Sequence, residues 1–86
     1  MTTNTKTAET LTEARALTLA TTIRGITGVE WAKAYGLRVV IQLTGCGRVR
    51  RGARLSVEAD GSVRLPDSST ARDAYADEIS AICAAL

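Results

Sequence analysis

Apolar residues recur at helical spacing between residues 8 and 23: Leu11, Ala14, Leu17, Leu19, Ala20 and Ile23 place most of the apolar weight on one broad side. This spacing predicts a first helix over 8–23. Its N-cap is Thr7 or Thr10; Thr10-Leu11-Thr12-Glu13 has the form of a capping box. Thr18, Thr21 and Thr22 weaken the last turns, and Gly25 and Gly28 end the pattern.

The period then shortens to two. Val29–Lys33 alternates weakly, with Val29 and Trp31 on one face, and reads as a first strand or an irregular approach to one. Leu37–Thr44 is rich in β-branched residues and is the strongest strand signal. Val39, Ile41 and Leu43 share one side of it, and Arg38, Val40, Gln42 and Thr44 the other. Apolar residues on both sides point to a central place in a sheet. After a glycine-bounded basic loop over 45–52, Ala53–Ala59 alternates Leu55, Val57 and Ala59 against Arg54, Ser56 and Glu58.

Asp60-Gly61 marks a hairpin whose register follows from burial. A two-residue loop would face Val57 with Arg64 and split the apolar residues between the two faces. A three-residue loop, Ala59-Asp60-Gly61, pairs Val57 with Val63 and Leu55 with Leu65, and places Arg54, Ser56, Glu58, Ser62 and Arg64 together on the other face. Burial of each large aliphatic side chain is worth about 1.5–3 kcal/mol, so the three-residue loop is expected, with positive φ at Gly61. Ala34-Tyr35-Gly36 has the same form and is expected to repeat the device. Pro66 stops the last strand.

Tyr75, Ile79, Ile82 and Leu86 fall on one stripe of a second helix over 69–86, flanked by Ala71, Ala74, Ala81 and Ala85. Asp67, Ser68, Ser69 and Thr70 offer caps. The order predicts an α+β fold: an N-terminal helix, an antiparallel meander of three or four strands, and a C-terminal helix, with both helices on one face of the sheet. Residues 8–86 form one domain, and residues 1–7 read as a disordered tail without the apolar stretch of a signal peptide.

Composition narrows the picture. The 86 residues contain no Phe and three aromatic side chains, Trp31, Tyr35 and Tyr75, so the core is aliphatic and base-stacking platforms are few. No apolar run approaches the ~20 residues of a membrane span. The expected compartment is the cytoplasm, where Cys46 and Cys83 stay thiols; Cys83 reads as a small buried residue of the second helix. Nine arginines against two lysines, with abundant alanine, also fit a GC-rich coding bias.

Chemistry is sparse. The chain has no histidine, which excludes His-based acid–base catalysis and His metal ligation. Two distant cysteines make no zinc site, and Cys46 has no histidine to activate it. The loop Gly45-x-Gly47-x-x-x-x-Gly52 lacks the lysine and hydroxyl of a P-loop and leads into a strand. Asp73, Asp77 and Glu78 read as a solvated helix face. No enzyme activity, cofactor or metal is expected.

Charge is the informative feature. Residues 24–64 carry a net +5 and residues 65–86 a net −3. Arg48, Arg50 and Arg51 concentrate positive charge in the glycine-bounded loop, with Arg54 and Arg38 on the adjoining strands. Guanidinium forks suit phosphate and carboxylate alike. The expectation is a small non-enzymatic binding protein that docks an anionic partner, nucleic acid or an acidic protein surface, through these five arginines. The alternative is a phage or mobile-element inhibitor or accessory protein that acts by protein–protein interaction. A homodimer, with the acidic helix of one copy against the basic loop of another, is compatible with either.

Overall fold

The computed structural model describes residues 10–47 and 49–86. The tail expected over 1–7 lies outside the described residues, as does Arg48. The element order is α1 (Glu13–Arg24), β1 (Val29–Tyr35), β2 (Arg38–Leu43), β3 (Arg54–Val57), β4 (Val63–Arg64), α2 (Ser69–Ala74) and α3 (Ala76–Ala85). The strands form one antiparallel meander in the order β1-β2-β3-β4. This is the α+β arrangement expected, and β2 is central.

Helix α1 starts later than its pattern suggested. Thr12, not Thr7 or Thr10, is the N-cap, and its hydroxyl accepts from the Arg15 backbone N–H at 3.1 Å. Arg15 occupies the position where a capping box needs Glu, so no box closes. Leu11 precedes the cap and Ala16 lies on the next turn, the two positions of a hydrophobic staple, and both are buried in the core. The buried stripe is Ala16, Leu19, Ala20 and Ile23, at spacings of three and four. Ala14 and Leu17, expected on the inner side, are exposed.

The core is aliphatic apart from Tyr75, the largest of its fully buried side chains. Val39, Ile41 and Leu43 of β2, Leu55 and Val57 of β3 and Ala32 of β1 meet the α1 stripe, Tyr75 and Ile82. Each large member contributes about 1.5–3 kcal/mol by burial.

The β3–β4 hairpin has the register that burial demanded. Val57 pairs with Val63, and Ser56 with Arg64. The Glu58 N–H donates to Ser62 O and the Gly61 N–H to Glu58 O, both at 2.8 Å, closing the three-residue loop with Gly61 at φ 87°. Leu65 departs from expectation: β4 ends at Arg64, and Leu65 is exposed instead of facing Leu55 in the core.

Two other strand expectations are corrected. The β1–β2 turn is two residues long, Gly36-Leu37, because Tyr35 pairs with Arg38. The three-residue device does not recur. A β-bulge between Val29 and Trp31 also separates those residues onto opposite faces: Val29 pairs with buried Leu43, but Trp31 pairs with Gln42. Without the bulge the alternation would put Ala32 and Ala34 outside and Trp31 inside.

The C-terminal helix is broken. Tyr75 leaves helical geometry at φ −111°, ψ 24° and separates α2 from α3. Ser68 caps α2, accepting from the Ala71 N–H at 3.3 Å. Tyr75 and Ile82 are buried, Ile79 partly so, and Leu86 is exposed. Cys83 is exposed, not buried as expected. Among the described residues no helix is long and apolar enough to cross a membrane.

Candidate anion-binding surface

The helices cover one face of the sheet and leave the other open. Register lines up the open face in rows. Trp31, Gln42 and Arg54 form one row across β1, β2 and β3. Lys33, Val40, Ser56 and Arg64 form the next, across all four strands, and Tyr35 and Arg38 begin a third. These rows bring together four cations, Lys33, Arg38, Arg54 and Arg64, with Glu58 as their acidic neighbour.

Trp31 is half-buried at the β1 end of the first row. The Lys33 ammonium stands 5.4 Å from its ring centroid, and the Arg54 guanidinium 5.3 Å. Arg54 reaches Trp31 from two strands away, a span of roughly 10 Å at the usual strand spacing. Gln42 lies beneath and steadies it: Arg54 Nε donates to Gln42 Oε1 at 3.3 Å. Each cation–π contact is worth about 0.5–1 kcal/mol at an exposed site.

Arg38 donates to Glu58 Oε2 at 3.2 Å, and the Ser56 hydroxyl donates to the same oxygen at 2.7 Å. The Arg38 and Glu58 side chains are 50% and 31% exposed, so the pair holds geometry more than it stabilises, at about 0–1 kcal/mol. Beside it lies a depression of about 210 Å³ framed by Arg38, Arg54 and Arg64, with Val40 and Ser56 beneath. Leu65, Pro66 and Asp67 form its rim. Leu65 is exposed because the chain turns onto this outer side after β4.

The loop between β2 and β3 adjoins the Trp31 row. Its backbone is tied at several points: Leu43 N–H donates to Ala53 O at 2.8 Å, Cys46 N–H to Val49 O at 2.8 Å and Gly52 N–H to Val49 O at 3.1 Å. Gln42 Nε2 donates to Arg51 O at 3.3 Å, linking the loop to the Trp31 row. From the core side, the Tyr75 hydroxyl donates to Thr44 O at 2.7 Å and to Val49 O at 3.4 Å. Burial, followed by the Cys46 side chain, pushes the Tyr75 phenol up to about 12. Arg50 and Arg51 are exposed on this braced loop.

Of the five arginines singled out in the sequence, Arg38 and Arg54 sit on the open face, Arg50 and Arg51 are exposed on the adjoining loop, and Arg48 lies outside the described residues. Pattern reading missed Trp31, Lys33 and Arg64 as members. The three-residue hairpin had already placed Arg64 beside Arg54; Trp31 was hidden by the bulge, which no residue type announces. Among the described residues no group of three or more His, Cys, Asp or Glu side chains gathers as a metal site. Asp77 and Glu78 border a separate depression with Ile26, Thr27 and Ala81, remote in charge and composition from the basic face. Comparisons with protein-family models, curated proteins and solved structures find no match.

Proposed function

We propose that this chain is a non-enzymatic binding module of the cytoplasm that docks an anionic macromolecule on the open face of its sheet and the adjoining loop. The observation that carries this reading is the gathering of Lys33, Arg38, Arg54 and Arg64 on a face that no helix covers, with Arg50 and Arg51 at one end. Here Glu58 engages Arg38, while Arg54 and Lys33 rest against an aromatic ring that a ligand can take over.

Retention on a heparin matrix tests this. Wild type is expected to elute at salt well above that needed for Arg38→Ala/Arg54→Ala/Arg64→Ala, because each lost contact reduces counterion release. Arg50→Ala/Arg51→Ala should shift elution in the same direction. Elution of the sheet-face variant at the wild-type salt concentration, with its circular dichroism unchanged, would reject the surface.

A further inference from the structure

We infer that the anionic partner is single-stranded nucleic acid, held with a phosphate in the three-arginine depression and a base on Trp31. This rests on the docking surface proposed above and names its ligand. The two subsites occupy neighbouring rows of the sheet: Trp31 is in register with Gln42 and Arg54, and Ser56, on the floor of the depression, with Val40 and Arg64. Trp31 on β1 and Ser56 on β3 lie two strands and one row apart, roughly 12 Å between backbones, so the stacked base and the bound phosphate belong to neighbouring nucleotides of one strand. Arg54 belongs to both subsites. It lies 5.3 Å from the Trp31 ring centroid and also frames the depression. An arriving base takes the place of the Arg54 guanidinium against the indole, and Arg54 turns to the phosphate beside it. A cation–π contact is thereby exchanged for base stacking plus a charge-assisted hydrogen bond.

The same geometry separates three polyanions. An acidic peptide satisfies the arginines but gives the indole no flat partner. A duplex keeps its bases stacked on one another, and the open face offers a sheet surface, with no helix to enter a groove. An unpaired strand can turn a base outward onto the ring while its backbone follows the cations. Asp67 at the rim and Glu58 beside Arg38 are outnumbered by Lys33, Arg38, Arg54 and Arg64.

Trp31 is the chain's one tryptophan, so its emission reports this subsite alone. The experiment titrates the full chain with an oligothymidylate of about twelve nucleotides, within the usual site sizes, with a duplex of the same length and with polyglutamate. Wild type is expected to bind the oligothymidylate more tightly than the other two, with quenching of Trp31 emission. Trp31→Ala should weaken that binding roughly tenfold or more, as read by anisotropy of the labelled strand, while Trp31→Phe retains most of it. Arg64→Ala should lower the slope of log affinity against log salt by about 0.7. If the polyanions bind alike and Trp31→Ala binds as wild type, the base subsite is wrong and the docking surface stands. Preference for polyglutamate or for the duplex has the same consequence. If none of the three binds at low salt, both readings fall.

Discussion

Gly45, Gly47 and Gly52 punctuate the basic loop, and backbone geometry gives them unequal parts. A Cβ on Gly52 would run into the Leu43 carbonyl, and its φ of 77° already disfavours any side chain. A Cβ on Gly45 would meet the Arg50 carbonyl, where the loop folds back on itself, whereas one on Gly47 meets nothing within 4 Å. The loop therefore needs glycine at its two ends, to let backbone approach backbone, and tolerates a side chain between them. Gly52→Ala is expected to destabilise the fold by at least about 2 kcal/mol, the left-handed conformation alone costing about 1–2. Gly47→Ala should stay within about 0.5 kcal/mol. Urea midpoints for the two variants check this, and equal midpoints would refute the close-approach account.

At the scale of elements, the ends and irregularities resist reading from sequence more than the elements do. The pattern pointed to Thr7 or Thr10 as the cap of α1, and the structure uses Thr12, whose hydroxyl holds the Arg15 N–H. Thr12→Ala is expected to cost about 1 kcal/mol, which for a domain of this size lowers Tm by about 4–8 °C, while Thr10→Ala leaves Tm nearly unchanged. The reverse order would restore the capping box. Helix, meander and helix were legible because each strand had a period and a face to bury, and the β3–β4 register was legible because one alternative exposed its core residues. The β1 bulge was not: it depends on how β1 meets β2, a pairing between segments that local pattern does not contain. The break at Tyr75 was hidden for a similar reason. Its residues form helix well enough, and the interruption accompanies a tertiary contact, the phenol reaching Thr44 and Val49 thirty-one and twenty-six residues away. The same gap between local pattern and pairing governed the candidate site. The loop arginines stood out as a run, whereas the row through Trp31 and Arg54 exists only once three strands are in register.

For the whole molecule, Tyr75 joins parts that are otherwise separate. It closes α2, leads into α3, fills the core at 2% exposure and holds the basic loop from beneath. A phenol pushed up to about 12, chiefly by burial, links this joint to pH. In the unfolded chain the phenol ionises near its ordinary value of 10, so the unfolded state loses its proton first. The stability that protonated Tyr75 contributes is therefore complete below pH 10 and is lost as pH rises from 10 towards 12. A difference of this size corresponds to stability on the order of 2 kcal/mol. Tyr75→Phe removes the titrating group while keeping the ring in the core, at a cost of about 1 kcal/mol at neutral pH for the lost hydrogen bond. Urea denaturation of both proteins from pH 9 to 11.5, near the interval fixed by the two values of the phenol, tests the link. Wild type is expected to lose stability across that range faster than Tyr75→Phe, so that the two curves meet and cross before its upper end, since every other titrating group is common to both. Parallel curves would mean that the phenol ionises as readily in the fold as outside it. Because Tyr75 braces the loop carrying Arg50 and Arg51, Tyr75→Phe should also loosen that loop at neutral pH, seen as faster amide exchange at Cys46 and Gly52, whose N–H groups donate within it. Amides of β2 in the core should keep their protection.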